Sequence, residues 1–394
     1  MSLIFLIFAA ALVCLSYRSF RGGIDYLRYF ERAAESEQPD FTPFVTIFAP
    51  CRGHDPGLAE NLRAVVSQDY PALEVIFVVD NVDDPAVAVI SNLLNENVKM
   101  VVAPVAVDSG QKVENLRAAV LEADPRSKVF AFVDSDVRPR AAWLRTLVGP
   151  LADPAVGAAT GYRWFISSDP SFASELRSSW NASIASALGP RTASNFCWGG
   201  SMAVSRQKFV DLGIRDKWKG TLSDDFTVTR IMQAAKLPIV FVPGALTVSE
   251  SDCTFNQMLE FTTRQMKITR AYARHLWINS LLGSAIFTGV MLSAFGTLVS
   301  TDNLFLRTAA ALTLALVTVF SVGKAWLRVR AVSLVLPEYR PALSRQRIAQ
   351  LTLWLLTPFV FLYNSIAALI SRRIVWRGIV YELKSPTETV IISD

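Results

Sequence analysis

The sequence predicts a mixed α/β domain built on a mostly parallel sheet, carried between membrane-embedded ends. Three observations point there. Between residues 40 and 275, short runs of β-branched and aromatic residues alternate with stretches of helical periodicity. Hydrophobic residues make up 52% of the 394 positions and crowd toward the two ends of the chain. Acidic residues collect where the apolar runs stop.

Taken in order, the chain begins with "MSLIFLIFAAALVCLSYRSFRGG", an apolar stretch of about sixteen residues followed by Arg18 and Arg21. A cleaved signal peptide carries its positive charge before the apolar run, so residues 1–20 are expected to be a retained anchor whose charged flank is cytoplasmic. "FVTIFAP" (44–50) reads as a buried strand, "GLAENLRAVVSQDYP" as a helix closed by a turn, and "LEVIFVVD" (73–80) and "VKMVVAPV" as further strands. "GQKVENLRAAVLEA" has its apolar residues at helical spacing, and "KVFAFVDSD" is a fourth strand. Strands that alternate with helices imply parallel neighbours covered on both faces. Ligands of such sheets bind beyond the carboxyl ends of the strands.

Residues 276–371 contain three more apolar segments, at 276–300, 304–323 and 350–371. The loop 324–349 is rich in Lys and Arg, which places it on the cytoplasmic side. Because the tail 372–394 opens with "RRIVWRG", both flanks of 350–371 favour that same side. With Pro358 and Asn364 inside it, this segment is expected to be re-entrant or interfacial, giving three spans in all. "KAWLRVRAVSLVLP" is expected to lie along the cytoplasmic interface.

Composition excludes several classes. Four scattered cysteines without CxxC spacing suggest neither a zinc site nor a disulfide framework, and two histidines cannot build a His-rich metal centre. The net charge of +5 sits beside the apolar segments, which suits an anionic membrane surface and not nucleic acid. There is no GxxxxGK[ST] loop and no GxGxxG turn.

What remains is acidic. "VVDNVDDPA" ends a strand at Asp80, with Asp83 and Asp84 behind it. "VDSD" sets Asp134 and Asp136 one residue apart at another strand end, and "GTLSDDFTVTR" puts Asp224 and Asp225 at the start of a helix. Two carboxylates held close repel unless a cation lies between them. A solvated turn is one reading of the Asp134–Asp136 pair. A divalent ion that takes one or two carboxylates and completes its shell with phosphate oxygens is the other. Asp224 at a helix start also suits simple capping.

The ordered set "VTIFAPCRG", "DDPA", "GQKVENLRAA", "VDSDVRP", "CWGGSMAVSR", "LSDDFTVTR", "RQMKITR" and "WRGIVYEL" resembles the ceramide glucosyltransferase-type branch of the family 2-like glycosyltransferases (family 2/21 type), membrane enzymes with a GT-A fold. The resemblance runs through almost the whole chain. It implies a GT-A domain at 40–275 and inverting transfer of a hexose, glucose first, from a UDP-sugar to a membrane lipid hydroxyl. It implies Mg²⁺ or Mn²⁺ held by Asp134 and Asp136, with Asp225 as general base. Asp80, Lys112, Asp134, Arg264 and Arg377 would face the nucleotide sugar, with Asn81 or Asp83 as alternatives to Asp80. Trp198, Gly199, Gly200 and Asp224 would lie on the acceptor side. In the family's (Q/R)xxRW element this chain keeps Arg264 but has Lys267 for the arginine and Ile268 for the tryptophan. Lysine keeps the charge and loses the planar fork. The implied location is a bacterial inner membrane, with the catalytic domain cytoplasmic. Rival readings are a processive polysaccharide synthase and a non-catalytic scaffold with an inactive GT-A domain.

Overall fold

A computed structural model of the chain describes residues 2–36 and 39–393. The chain forms two compact units. One takes the residues up to Arg32 together with Pro170–Ser186 and Cys253–Ser371; the other takes Ala33–Asp169, Ala187–Asp252 and Arg372 onward.

The second unit is α/β. Its main sheet contains β1 (Val45–Pro50), β2 (Leu73–Val79), β3 (Val98–Val102), β4 (Val129–Val133) and β5 (Ala158–Thr160). After the short β6 (Arg163–Ile166) come β7 (Ser201–Ser205), β8 (Ile239–Phe241) and β9 (Thr247–Glu250). The seven strands lie in the order β3-β2-β1-β4-β7-β5-β8, while β6 and β9 make a separate parallel pair. β1 pairs in parallel with β2 and β4, β2 with β3, and β5 with β8; β7 runs antiparallel to both β4 and β5. This is the mixed, mostly parallel sheet that the GT-A expectation describes.

Both faces are buried, which is why these strands read as unbroken apolar runs and not as an alternation. Along β4, Val129, Ala131 and Val133 enter one core with Val45, Ile47 and Trp143. Phe130 and Phe132 enter the opposite core with Phe48, Phe209 and Trp218. The Phe132 and Trp218 rings meet edge to face at 5.6 Å, an arrangement aromatic pairs prefer.

The topology brings a specific set of chain segments to one edge. Asp80 follows β2 and Asp134 follows β4 at the carboxyl ends of parallel strands. β7, running the other way, begins at that same edge, since Ser201 pairs with Val133. Residues 198–200 therefore come beside Asp134.

The expected tail after residue 371 is folded. β10 (Arg373–Trp376), β11 (Ile379–Ser385) and β12 (Glu388–Ser393) form an antiparallel sheet. A two-residue turn joins β10 to β11, with Arg377 at φ 53° and Gly378 at φ 89°. Two positive φ values are what a type I′ hairpin turn demands.

The first unit is helical. Among the described residues, three helices are long and apolar enough to cross a membrane: Leu3–Glu35, Arg274–Ser300 and Leu304–Val335. The first runs well past the expected anchor because Tyr26, Leu27 and Phe30 are buried along its continuation. The third absorbs most of the stretch expected to lie at the interface, continuing without a break from Leu304 to Val335. A further pair, Pro337–Leu355 and Thr357–Ile370, is bent by 59°. Pro358 sits in the first turn of its second member, where a missing N–H costs no helical bond.

One buried polar knot ties the α/β sheet together. Glu74, 2% exposed, accepts from the Thr46 hydroxyl at 2.7 Å and from the Asp124 backbone N–H at 2.5 Å, and pairs with Lys99 at 3.0 Å. Glu74→Ala strands the buried Thr46 hydroxyl and unties the Asp124 N–H, while Lys99 is exposed enough to turn to solvent. We expect it to lower the stability of the α/β unit by roughly 1–3 kcal/mol, read from chemical denaturation followed by tryptophan fluorescence.

Candidate active site

The site is a chain of alternating charges at the strand ends. Lys112 lies in the first turn of the helix Gln111–Ala119 and projects its ammonium between two carboxylates. Its Nζ is 2.7 Å from Asp134 Oδ1 and 3.2 Å from Asp224 Oδ1. The other Asp134 oxygen, Oδ2, is 2.9 Å from Arg163, whose guanidinium also reaches Asp136 Oδ2 at 3.1 Å. The five charges form one connected network: Asp224, Lys112, Asp134, Arg163, Asp136.

Burial sets the energetics. It works against the charge on Lys112, but Asp134, Asp224 and Asp225 outweigh it and hold the ammonium protonated well above the usual lysine range. Burial would likewise raise Asp134, yet Lys112 and Arg163 bring its carboxyl below the ordinary value. Asp224 goes the other way. Burial pushes it up to about 6 against the pull of Lys112, with the charges of Asp225 and Asp134 adding to the rise. Its Oδ2 has no hydrogen-bond partner.

The helix Asp224–Ala234 explains the adjacent pair. Ser223 is its N-cap and accepts from the Phe226 N–H at 3.2 Å, so both aspartates fall in the first turn, where the helix dipole favours negative charge. Consecutive helical residues point about 100° apart. Asp224 accordingly turns inward to Lys112, while Asp225 is half-buried and accepts from the Gly199 N–H at 3.2 Å. Asp225 Oδ1 is held by the Ser223 hydroxyl and by the Phe226 N–H at 2.7 Å.

The two glycines permit this closeness. A Cβ on Gly199 would lie 2.3 Å from Asp224 Oδ2, and one on Gly200 would lie 2.2 Å from the Trp198 ring and 2.7 Å from Asp134 Oδ2. The Trp198 ring meets Tyr162 at 5.4 Å, and the Arg163 guanidinium stacks over it at 4.8 Å.

The remaining candidates are held by other partners. Asp80 is ion-paired with Arg52. Arg377, at the hairpin tip, grips Asp55 with both guanidinium nitrogens, at 2.7 and 2.5 Å. The Asp55 hydrogen bond holds Arg377 above its usual value, and the charges of Asp136 and Asp134 act in the same direction. A left-handed arginine costs about 1–2 kcal/mol, and such strain gathers at functional positions. Arg264 belongs to the helical unit, on Phe255–Tyr272, where it lies 3.8 Å from Glu260 and over the Phe261 ring at 5.6 Å. Ile268, the residue in place of the family tryptophan, is buried.

Sequence reasoning missed Arg163, Arg52 and Asp55. For Arg163 a signal existed: a lone charge in the apolar run "AATGYRWFI" needs a partner if the run is buried. Arg52 and Asp55 bind residues far along the chain, and no local spacing announces that.

The Asp134–Asp136 pair passes a test for a hard divalent ion, because both carboxylates already converge on a single cation, the Arg163 guanidinium. Among the described residues no third Asp, Glu, His or Cys closes a cage around them. An open pair of oxygen donors suits an ion that draws the rest of its shell from phosphate and water.

The unusual titration of Asp224 is measurable. A carboxyl whose folded value exceeds its unfolded value binds its proton more tightly when folded, so its contribution to stability falls as pH rises from about 4 to about 6. Asp224→Asn removes that term. Relative to the wild type, the variant is expected to gain stability across this window and hold the gain at higher pH, as followed by thermal unfolding in a pH series.

A mannosyltransferase from Pyrobaculum calidifontis, solved with GDP-Man and Mn²⁺, is similar over 93% of this chain and 98% of its own, at 19% identity and a TM-score of 0.48. Glucosyl-3-phosphoglycerate synthase from Mycobacterium tuberculosis, solved with Mn²⁺ and UDP-glucose, is similar over 62% of this chain and 82% of its own, at 14% identity and a TM-score of 0.39. The family model described as glycosyl transferase family 21 matches residues 4–389. The chain belongs to glycosyl transferase family 21 and is a glycosyltransferase.

Proposed function

We propose that this glycosyltransferase moves a hexose, glucose first among donors, from a UDP-sugar to the hydroxyl of a membrane lipid, with inversion at the anomeric carbon. One observation carries the reading. Asp225 stands as a half-buried carboxylate beside an alternating network of three carboxylates and two cations, in which Asp134 and Asp136 converge on Arg163, so one site offers a base and, with a divalent ion, a cradle for a diphosphate.

In this reading Asp134 and Asp136 hold Mg²⁺ or Mn²⁺, which when bound neutralises the charge of the departing diphosphate. Arg163 is placed to exchange its carboxylate partners for phosphate oxygens. Lys112 and Arg377 add positive charge around the same group, and Asp80 faces the nucleoside. Asp225 removes the proton from the acceptor hydroxyl as that oxygen attacks the anomeric carbon and the bond to the diphosphate breaks. A single displacement inverts the configuration, turning an α-linked donor into a β-glycoside. Its fixed hydrogen bonds from Ser223, Phe226 and Gly199 hold the base in place. Trp198, with Gly199 and Gly200, forms the acceptor side. The three helices able to cross a membrane support an acceptor drawn from the bilayer, and a cell membrane with the α/β unit on the cytoplasmic side completes the proposal.

The test is transfer of labelled sugar from a donor panel to a lipid extract by the full chain in nanodiscs. Asp225→Asn should lower turnover roughly 10²–10⁴-fold, the usual worth of a positioned base, while binding UDP with little change. A variant that still transfers at the wild-type rate removes Asp225 from this role. A second measurement concerns the network. Arg163→Gln removes the cation that the two aspartates share and leaves Asp134 with Lys112, so Mn²⁺ alone should bind several-fold tighter than to the wild type by isothermal titration. Equal affinity would mean that Arg163 does not compete for the metal's place.

A further inference from the structure

The helical unit contains a cavity of about 570 Å³, within the usual size of ligand sites. Its wall is mostly apolar, with Leu12, Leu15, Phe287, Phe320 and Trp354 in the lining, yet Lys324 and Arg328 also open into it. These cations are four residues apart on the helix Leu304–Val335, so they share one face.

Among the described residues neither is paired with a carboxylate. Arg328 is 5% exposed; one terminal nitrogen donates to Gln350 Oε1 at 3.0 Å, and its Nε is buried without an acceptor. Lys324 donates to the Ser19 hydroxyl at 2.9 Å. Arg330, two residues further on, differs in having Glu31 at 3.9 Å. Cations in a mostly apolar cavity are costly unless a counter-charge joins them. Their depth indicates its source. The apolar stretch 304–323 is about twenty residues at ~1.5 Å each, roughly the hydrocarbon thickness of a bilayer, which sets Lys324 and Arg328 where lipid headgroups begin. Basic pockets between such helices bind anionic headgroups.

We propose that this cavity binds an anionic membrane lipid, its headgroup phosphate paired with Arg328 and Lys324 and its acyl chain against the apolar wall. The site stands apart from the sugar-transfer reading, since nothing in it depends on Asp225 or on a donor, and its test uses binding and not turnover.

The delipidated full chain in detergent is titrated with phosphatidylglycerol, with phosphatidylcholine of the same acyl chains, and with inorganic phosphate, following lipid retention by native mass spectrometry and the unfolding midpoint. Phosphatidylglycerol should be retained and raise the midpoint, and the other two should not. Arg328→Gln and Lys324→Gln should each weaken phosphatidylglycerol about tenfold, the loss of one charge-assisted contact, while Arg328→Lys keeps most of it. If Arg328→Gln does not fold, Lys324→Gln alone decides. Equal retention of the two lipids, or unaltered binding in the neutral variants, overturns the site. Stabilisation by phosphate alone equal to that by the lipid would identify a free-anion site and overturn the lipid.

Discussion

The position of Lys112 between Asp134 and Asp224 is the constraint on which the site's other parts depend. Two carboxylates from segments ninety residues apart in sequence are drawn to one ammonium; Asp134 shares Arg163 as a second cation, and Asp224 relies on Lys112. Together with the bonds from the Gly110 N–H to the Thr221 carbonyl and from the Trp218 Nε1–H to the Asp224 carbonyl, the ammonium holds the start of the helix Asp224–Ala234 against the sheet edge. That in turn fixes how near the loop before β7 must come, and at that distance residues 199 and 200 have no room for a Cβ. A loss of charge at Lys112 would therefore act on backbone packing as well as on electrostatics.

Sheet topology supplies the second half of the arrangement. In a fully parallel sheet the strand beside β4 would end at the site edge and lead away into a helix. Here β7 is antiparallel, so the chain enters at that edge, delivering Trp198, Gly199 and Gly200 beside Asp134 before the strand begins. β6 adds Arg163 from beyond β5, where it pairs with β9 and not with the main sheet. Charges from four separate segments can then meet in one place with their backbones anchored in strands and helix starts. Such sites hold geometry better than ones built on loops alone.

The parts legible in the sequence were those with a local cause. Buried strands announce themselves by continuous apolar runs, and Asp80 and Asp134 were conspicuous because each ends one. The two acids Asp224 and Asp225 were read at a helix start, and the helix begins there. The interrupted apolar segment around Pro358 marked a break, and the bend of 59° lies there. What sequence could not supply were partners set by tertiary contact. Arg377 was visible as a cation in "WRG", but its left-handed backbone and its grip on Asp55 follow from a hairpin that reads, residue by residue, like a basic tail. Arg163 was hidden because a single arginine in a strand carries no spacing at all. The continuation of two of the long apolar helices past their apolar windows was hidden too, since it depends on what packs against them.

The proposed assignment of the base to Asp225, and not to its neighbour, rests on what each carboxylate already does. Asp224 is 2% exposed and bound to Lys112, and any proton it accepted would have to cross a packed site. Its raised titration range also leaves it partly protonated in mildly acidic conditions, which suits a group that balances charge more than one that must be ionised. Asp225 is half-buried, and three hydrogen bonds fix it without a cation consuming its charge. One helix turn thus separates two tasks between adjacent aspartates: the inner one completes the counter-charge of the network, and the outer one is left with a carboxylate that an acceptor hydroxyl can approach.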